Sequence, residues 1–505
     1  MLALRPMLRA GVAGMSKHHV RLLIGGSAIL TYSIHSSPSR SLIMVNSENR
    51  RSSSEQATTI KFSGGDSNIV SVTMVRKSLW QRIASILRLL YHCGRLVLLG
   101  MPLLVTYPVA RIADRDVAHW WWHLALTTGK HSSPAIIKFL QWASTRRDMF
   151  SPRFCNTFQQ FHANCEVHSW SHTLERLVDA FGPSWSTHMQ LDPDPIGSGV
   201  IAQVYQGRWI ATNEKIAVKV IHPSVQESVA LDLDLLWVVA GWVDYFLPNL
   251  SARVGMASFA EVMTSQLDLR VEAANLLRFQ SNFATTPNVT FPTPMPEFVT
   301  SSVLVESFVD GEHINTAVDA SSATCDRRQL AATTVDTFLR MLFLHNFAHG
   351  DIHPGNILVT RNGAAGIALL DAGIVNTLRP TDFDDFVELF HHIASKDGVA
   401  AGKMLLEKSP RHHCTDQPAF TSAIAAIVDR ATKNLSLREV PVGELLQDVL
   451  EVCQRHHVAL QGRFVSVVVS IGVLEGVGRL LDPELDILKI ALPILIQAKF
   501  QQRLQ

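Results

Sequence analysis

The chain has almost no net charge, no paired cysteines and no apolar run long enough to span a membrane. Each absence removes a class of function. Lys plus Arg number 45 against 44 Asp plus Glu, so no global field draws the protein to nucleic acid or to acidic membranes. The six cysteines lie at 93, 155, 165, 325, 414 and 453 with no CxxC pair, which excludes both a disulfide framework and a zinc module and leaves reduced thiols as the expectation. The doublets His391-His392, His412-His413 and His456-His457 lack partners at metal spacing and read as surface or structural histidines. The longest later apolar run, Leu96–Ala110, is broken by Pro102 and Pro108. It falls short of the roughly 20 residues that a span requires and reads as a buried or interfacial helix. Phe464–Leu474 is shorter still, ends at Glu475, and reads as core.

Acid is missing from the first 47 residues, which carry Arg5, Arg9, Lys17, Arg21 and Arg40 among Leu, Ala and Ser. This is the composition of a mitochondrial transit peptide, and no Ala-x-Ala site supports a secretory signal instead. With 505 residues, 47% of them hydrophobic, the chain can bury more than one core. Five segments are expected: a transit segment over 1–45, a polar, Ser-rich flexible linker over 46–76, a helical stretch over 77–190, a strand-rich lobe with a helical insertion over 191–311, and a helical lobe over 312–505. The tryptophans at 120–122 read as packing residues, with a membrane belt as the lesser alternative.

Short β-like runs are expected at Ala202–Tyr205, Ile216–Ile221 and Val303–Phe308, with the helical insertion over about 224–283. In 333–345, Val335, Phe338, Leu339, Leu342 and Phe343 form a stripe that buries one helix face and delivers the chain to HGDIHPGNILV. Beyond it, Asn356–Val359 and Ile367–Leu370 read as strands joined by RNGAAG, which returns Asp371 to the loop.

Phosphoryl transfer requires amides around phosphate, a lysine on the α/β oxygens, hard oxygen ligands for magnesium and a carboxylate that orients the nucleophile. Gly197-Ser198-Gly199-Val200-Ile201-Ala202-Gln203-Val204 fits G-x-G-x-x-G-x-V except at Ala202, and alone could equally be a tight turn. Lys219 in IAVKV follows at the distance of a strand lysine reaching under such a loop, and Glu272 in LRVEAANLLRF lies on a helical pattern from which it could hold that ammonium. His349-Gly350-Asp351 with Asn356, followed by Asp371-Ala372-Gly373, reproduces H-x-D-x-x-x-x-N and the place of D-F-G. Asp351 is then the candidate base, and Asn356 and Asp371 the candidate magnesium ligands. The rival, in which His349, Asp351 and His353 hold a transition metal, leaves Lys219, Asp371 and the glycines unexplained. Glu306 and Phe308 fall where an interlobe hinge would offer backbone groups to adenine, or are an ordinary edge strand.

PIGSGVIAQVYQG, AVKVIHP, LDLRVEAANLLRF and HGDIHPGNILV together resemble the UbiB/aarF-domain-containing (ADCK) atypical kinase family, and KFLQWASTRRDMF resembles its signature segment upstream of the kinase core. The likeness runs over about 80–500 and is greatest to the second ADCK type of mitochondria. The resemblance implies an α+β, bilobal protein-kinase-like fold whose helical N-terminal extension packs over the nucleotide site. It also implies ATP and Mg2+ as cofactors and a link to coenzyme Q and mitochondrial lipid metabolism, with coenzyme Q biosynthetic proteins as candidate partners and peripheral contact with the inner membrane. Carried over by motif, Lys138 and Gln141 are the K-x-G-Q pair, Lys219 the nucleotide lysine, Glu272 its helix partner, and Asp351, Asn356 and Asp371 the catalytic and magnesium set.

The chain departs from the family at three points. Leu140 replaces the glycine of K-x-G-Q, and Gln266 replaces the glutamate of E-x-D, so the ion pair between these motifs cannot form. Gly197 and Gly199 stand in a loop that is usually alanine-rich, which predicts more permissive ATP binding. There is no A-P-E segment, and HGD lacks the arginine that reads an activation-loop phosphate. A lipid or other small molecule is therefore expected as substrate ahead of a protein, with a nucleotide-switched pseudokinase or lipid-binding chaperone as the alternative.

Overall fold

The computed structural model describes residues 20–504 except 25–27, 36–43, 53–54, 65–67, 77–78, 113–114, 146–149, 159–166, 247–251, 315, 317–325, 361–365, 410, 413, 434–441 and 461. The chain divides into two compact units, Met1–Pro102 and Leu103–Gln505. In the first, β1 (Val20–Ile24), β2 (Ala28–His35), β3 (Met44–Ser52), β4 (Glu55–Gly64) and β5 (Asn68–Arg76) form one antiparallel sheet in the order β1-β2-β5-β4-β3. The stretch over 46–76, expected as a flexible linker, is thus drawn into strands. Its Thr, Ile and Val residues recur in NIVSVTMVR and EQATTIKFSG as a β-branched pattern that polar composition conceals. Residues 1–19 and 36–43 of the expected transit segment and most of the RNGAAG turn lie outside the described residues.

The helical stretch is α1 (Leu79–Ile112), α2 (Arg115–Lys130), α3 (Pro134–Thr145), α4 (Pro152–Phe158) and α5 (Trp170–Phe181). Trp121 and Trp122 pack with Phe154 and Phe158, and the Trp121 indole donates to Leu103 O at 3.1 Å, so these two are packing residues while Trp120 is exposed. The run Leu96–Ala110 is helical but not buried: Leu98, Met101, Leu104, Val105 and Val109 are all exposed. Among the described residues, no helix is long and apolar enough to cross a membrane.

The strand-rich lobe contains β6 (Met189–Ser198), β7 (Ala202–Trp209), β8 (Lys215–Ile221), the insertion helices α6 (Val225–Phe246), α7 (Ala252–Gln266) and α8 (Leu269–Asn282), then, after β9 (Val289–Thr290), which joins the sheet of the other lobe, β10 (Pro294–Val299) and β11 (Val303–Ser307). Its antiparallel sheet runs β10-β11-β8-β7-β6. Strand alternation places the lysine. Ile216, Val218 and Val220 join Val303, Val305 and Leu177 of α5 in one core, so Lys219 must lie on the opposite face. On that face Leu304 and Ala202 pack with Met256, Phe259 and Met263 of α7 and with Ala135 of α3. Phe139 and Trp142 of α3 add ring contacts to Phe259, which anchors the extension on the insertion.

The second lobe holds β12 (Gly311–His313), α9 (Arg327–Phe343), β13 (Ala348–His349), β14 (Ile357–Thr360), β15 (Gly366–Leu369), β16 (Val375–Asn376) and six further helices: α10 (Pro380–Ala394), α11 (Gly398–Glu407), α12 (Gln417–Lys433), α13 (Val442–Arg455), α14 (Gly462–Leu481) and α15 (Ile487–Leu504). Asp326 caps α9 by accepting from Arg328 N and Gln329 N. The expected stripe is buried, but so are Thr334, Thr337 and Met341, because α9 runs through the middle of the lobe rather than along its surface. Val467, Ile471 and Leu474 of α14 pack in the same core. The strands on either side of the expected turn, β14 and β15, pair as read, with Ile357 opposite Leu369.

Phe279 of α8 ties the lobes together. It is fully buried, stacks on Phe291 at 5.2 Å and meets Phe347 at 4.6 Å, just ahead of the HGD loop. Phe279→Ala should destabilise the fold by about 3–5 kcal/mol, read as a lower melting temperature and urea midpoint.

Candidate functional site

β8 presents Lys219 to a cleft bounded by α8 and the loop after β15. Its Nζ donates to Glu272 Oε1 at 2.8 Å and Oε2 at 2.9 Å and lies 3.3 Å from Asp371 Oδ1. Burial alone would lower the lysine, but Asp371 and Glu272 outweigh it and hold the ammonium above its ordinary range. Burial likewise works against ionisation of Asp371, yet Lys219, Lys138 and His349 hold it below the usual carboxylate range. Glu272, which is more deeply buried, is pushed up to about 7, with Lys219 pulling against the burial.

The expected catalytic loop folds as the spacing implies. Asn356 Nδ2 donates to Asp351 O at 3.0 Å; with its donor end used, Oδ1 is the end available to a cation. Asn356 O accepts from Leu370 N at 2.9 Å, which sets this residue beside Asp371. Asp371 itself adopts φ +53, a left-handed backbone that is costly for a residue with a Cβ and typical of functional sites. Asn275 of α8 donates to Ala372 O at 2.8 Å and fixes the turn. His349 donates from Nε2 to Leu370 O at 3.0 Å and accepts Asp351 N–H on Nδ1 at 3.2 Å. Both ring nitrogens are thus occupied by backbone, which removes the basis of the transition-metal reading.

Gly350 explains HGD. A Cβ there would meet Ile374 Cγ2 at 2.5 Å, and its N–H donates to Ile374 O at 2.9 Å, so no arginine fits. Only residues 374–379 separate Gly373 from α10, and within them β16 pairs straight back onto β13.

Lys138 arrives from α3 with Nζ 3.9 Å from Asp351 Oδ2. The extension therefore reaches the site, with its lysine beside the candidate base. Gln266 lies close to Gly373, and its Oε1 is sealed from solvent without a partner.

In the β6–β7 loop, Gly197 and Gly199 do not depend on positive φ. An added Cβ would meet nothing at Gly197 and only Ala202 O at 3.5 Å at Gly199. Neither backbone conformation nor packing therefore requires glycine at these two positions. Val200 and Ala202 are buried, and Val204 pairs with Lys219 across the ladder. Ser198 Oγ is sealed and unpartnered.

Sequence reasoning missed a relay behind this loop. His222 Nε2 donates to Gly199 O at 2.9 Å, which leaves its Nδ1 to accept from His168 Nδ1 at 2.6 Å. His168 Nε2 then accepts from Thr173 Oγ1 at 2.9 Å, and Thr173 in turn meets Tyr205 OH at 2.6 Å. With both histidines neutral, every one of these roles is filled. Burial and then the neighbouring His222 and His172 push His168 down to about 4. His222 stands beside AVKVI and could have been suspected; His168 lies far off in sequence and only the fold brings it in.

At the expected hinge, the Phe308 N–H donates to Lys215 O at 3.2 Å, and Glu306 lies inside the ladder, opposite Ala217 and Pro294. The Glu306 Oε2 is sealed and unpartnered. Burial, then Glu272, push its carboxyl up to about 8 against the pull of Lys219.

The profile of the ABC1 atypical kinase-like domain matches residues 160–405, and that of the UbiB helical domain matches 424–486. The "ABC1 family protein YPL109C, mitochondrial" of Saccharomyces cerevisiae is 30% identical over 484 residues, covering 80% of this chain and 73% of that protein. The chain belongs to the ABC1/UbiB atypical kinase family. A Dictyostelium discoideum family member, "Probable serine/threonine-protein kinase abkC", is 29% identical, covering 80% of this chain and 68% of its own. "Probable protein kinase UbiB" of Cronobacter sakazakii is 27% identical, covering 72% and 67%. A Schizosaccharomyces pombe relative is also named mitochondrial, and the chain is a mitochondrial member of the family. The solved structure titled as the complex of Rv3197 with erythromycin from Mycobacterium tuberculosis aligns with TM-score 0.50 at 16% identity, over 76% of this chain and 97% of that one. The fold is kinase-like, as the motifs implied.

Two measurements follow. Gly199→Ala fits the loop, so it should leave the melting temperature unchanged while weakening Mg-ATP about tenfold, read by nucleotide titration. The raised Glu306 carboxyl means the folded state binds more protons than the unfolded one between about 4.5 and 8, so stability falls as pH rises through that window. The gain in melting temperature of Glu306→Gln over wild type should accordingly widen from pH 5 to pH 8.

Proposed function

We propose that this family member is a Mg-ATP-dependent atypical kinase or ATPase acting on a lipid or other small molecule of the coenzyme Q and mitochondrial lipid pathways. The observation that carries the reading is the placement of one strand ammonium, Lys219, between the Glu272 and Asp371 carboxylates, with Asp351 and Asn356 alongside. The residues fit such a ligand. Sealed polar atoms without partners, Ser198 Oγ, Gln266 Oε1 and Glu306 Oε2, belong to elements around Lys219. Buried orphans of this kind call for an explanation, and a bound polar molecule provides one.

When bound, Mg-ATP supplies the transferable phosphoryl group and the cation that neutralises its charge. Lys219, kept protonated and aimed by Glu272, holds phosphate oxygens. Asp371 and the Asn356 Oδ1 would hold the metal. Asp351 would orient and accept a proton from the nucleophile, water or a substrate hydroxyl. The short passage from Gly373 to α10 provides no platform for a peptide, which favours a small substrate.

A lipid surface is supported by α1. No acidic residue occurs in Leu79–Ile112, which carries Arg82, Arg88, Arg95 and Arg111, and Leu87, Tyr91, Leu98 and Val105 are exposed along it. An apolar, cationic helix of this composition suits the interface of anionic bilayers. The second reading, a nucleotide switch without transfer, is favoured by Lys138 beside Asp351, because an ammonium there opposes proton uptake by the base. ADP release by the purified protein, with and without cardiolipin-rich vesicles, separates the two. Turnover that rises with vesicles and drops at least a hundredfold in Asp371→Asn supports the ATPase; nucleotide binding without turnover supports the switch.

A further inference from the structure

We infer that the Glu306 side chain reads the purine base, selecting a 6-amino purine over a 6-oxo purine. This deepens the nucleotide reading above and rests on it. Glu306 sits on β11 two residues beyond Leu304, which pairs with Lys219, and opposite Ala217. Residues two apart on a strand share a face, so Lys219, Ala217, Leu304 and Glu306 look the same way, and Glu306 lies about 7 Å along the strands from the Lys219 row. That displacement leads towards Phe308–Asp310, the link by which the sheet passes to β12 of the other lobe. Phosphates gathered at Lys219 therefore put the base end of the nucleotide towards Glu306.

Charge gives the same orientation. A carboxyl group repels phosphate, so this one suits the uncharged base. Its backbone lies within the sheet, opposite Ala217 and Pro294, and the group it can turn to a ligand is the carboxyl, whose Oε2 is sealed and unpartnered. Ionised, a carboxylate only accepts hydrogen bonds. Adenine offers it an amino group; hypoxanthine and guanine present a carbonyl oxygen, which it repels. A neutral carboxylic acid can donate to that carbonyl and so tolerates it. The charged groups that face Glu306 are Glu272 from α8, Asp371 from the loop after β15 and Lys219 from β8; burial and Glu272 push the carboxyl up to about 8. Discrimination should therefore sharpen as pH passes that value.

The test is the ratio of Mg-ATP to Mg-ITP affinity at pH 6.5 and pH 9 in the full-length protein, in Glu306→Gln and in Glu306→Met. Wild type should favour ATP by about tenfold or more at pH 9 and less at pH 6.5. The amide of Glu306→Gln offers both a donor and an acceptor, so its ratio should fall to near one and lose its pH dependence. Methionine should also abolish the preference. A ratio and pH profile in the folded Gln variant equal to those of wild type overturn the inference, since a purely structural acid would alter melting temperature and leave base choice alone. Failure of wild type to bind either nucleotide overturns the nucleotide reading itself, which is a different result from binding both equally.

Discussion

One ammonium held by two carboxylates organises the cleft. Lys219 belongs to the sheet, Glu272 to the helix after the insertion, and Asp371 to the loop of the other lobe, so a single charged group joins three elements that are distant in sequence. Removing any partner leaves an uncompensated charge in a buried place, which is far costlier than the pair is favourable. Asp371 sits in a left-handed backbone, so the turn that presents it is held by its surroundings, Asn275 and Gly373 among them, rather than by its own preference. The same crowding leaves Glu306 as a third acid around one cation, and its raised titration follows from that imbalance.

The extension changes meaning in this chain. With Gln266 in place of a glutamate at the end of α7, Lys138 approaches the carboxylate of Asp351 and acts on that of Asp371. At 3.9 Å, with Asp351 part-exposed, the contact is a weak one. The extension is anchored through Phe139 and Trp142 on Phe259, and its charged end reaches the candidate base through a part-exposed contact.

Much of this was legible in the sequence, for a physical reason. The candidate residues are tied to local spacing: HGD and Asn356 share one loop, and a hairpin returns Asp371 to it. Strand parity then fixes which face carries Lys219. What was not legible depends on contacts between distant segments. The ring of His168 meets His222 because α5 packs on the back of the sheet, and nothing near residue 168 announces it. That the Phe308 amide donates to Lys215 O shows only in the fold. The apolar run in α1 satisfied both a buried and an interfacial reading, and only the packing shows its side chains exposed. In the N-terminal unit, Ser-rich composition outweighed the β-branched alternation in the linker reading of 46–76, and the period was the better guide.

The relay from Tyr205 to Gly199 links these points to the site itself. Carbonyl 199 lies in the loop whose amides would surround phosphate, and a carbonyl turned inward would repel it. By accepting from His222, that oxygen is satisfied within the protein, and with both rings neutral the histidine donates in this direction while its other nitrogen accepts from His168. With both rings neutral the arrangement has one tautomer for each, so the Gly199 carbonyl is fixed by a chain of side chains that reaches back to Tyr205. Gly197 and Gly199 have ordinary φ and are not needed for the turn, so both are free to serve close approach.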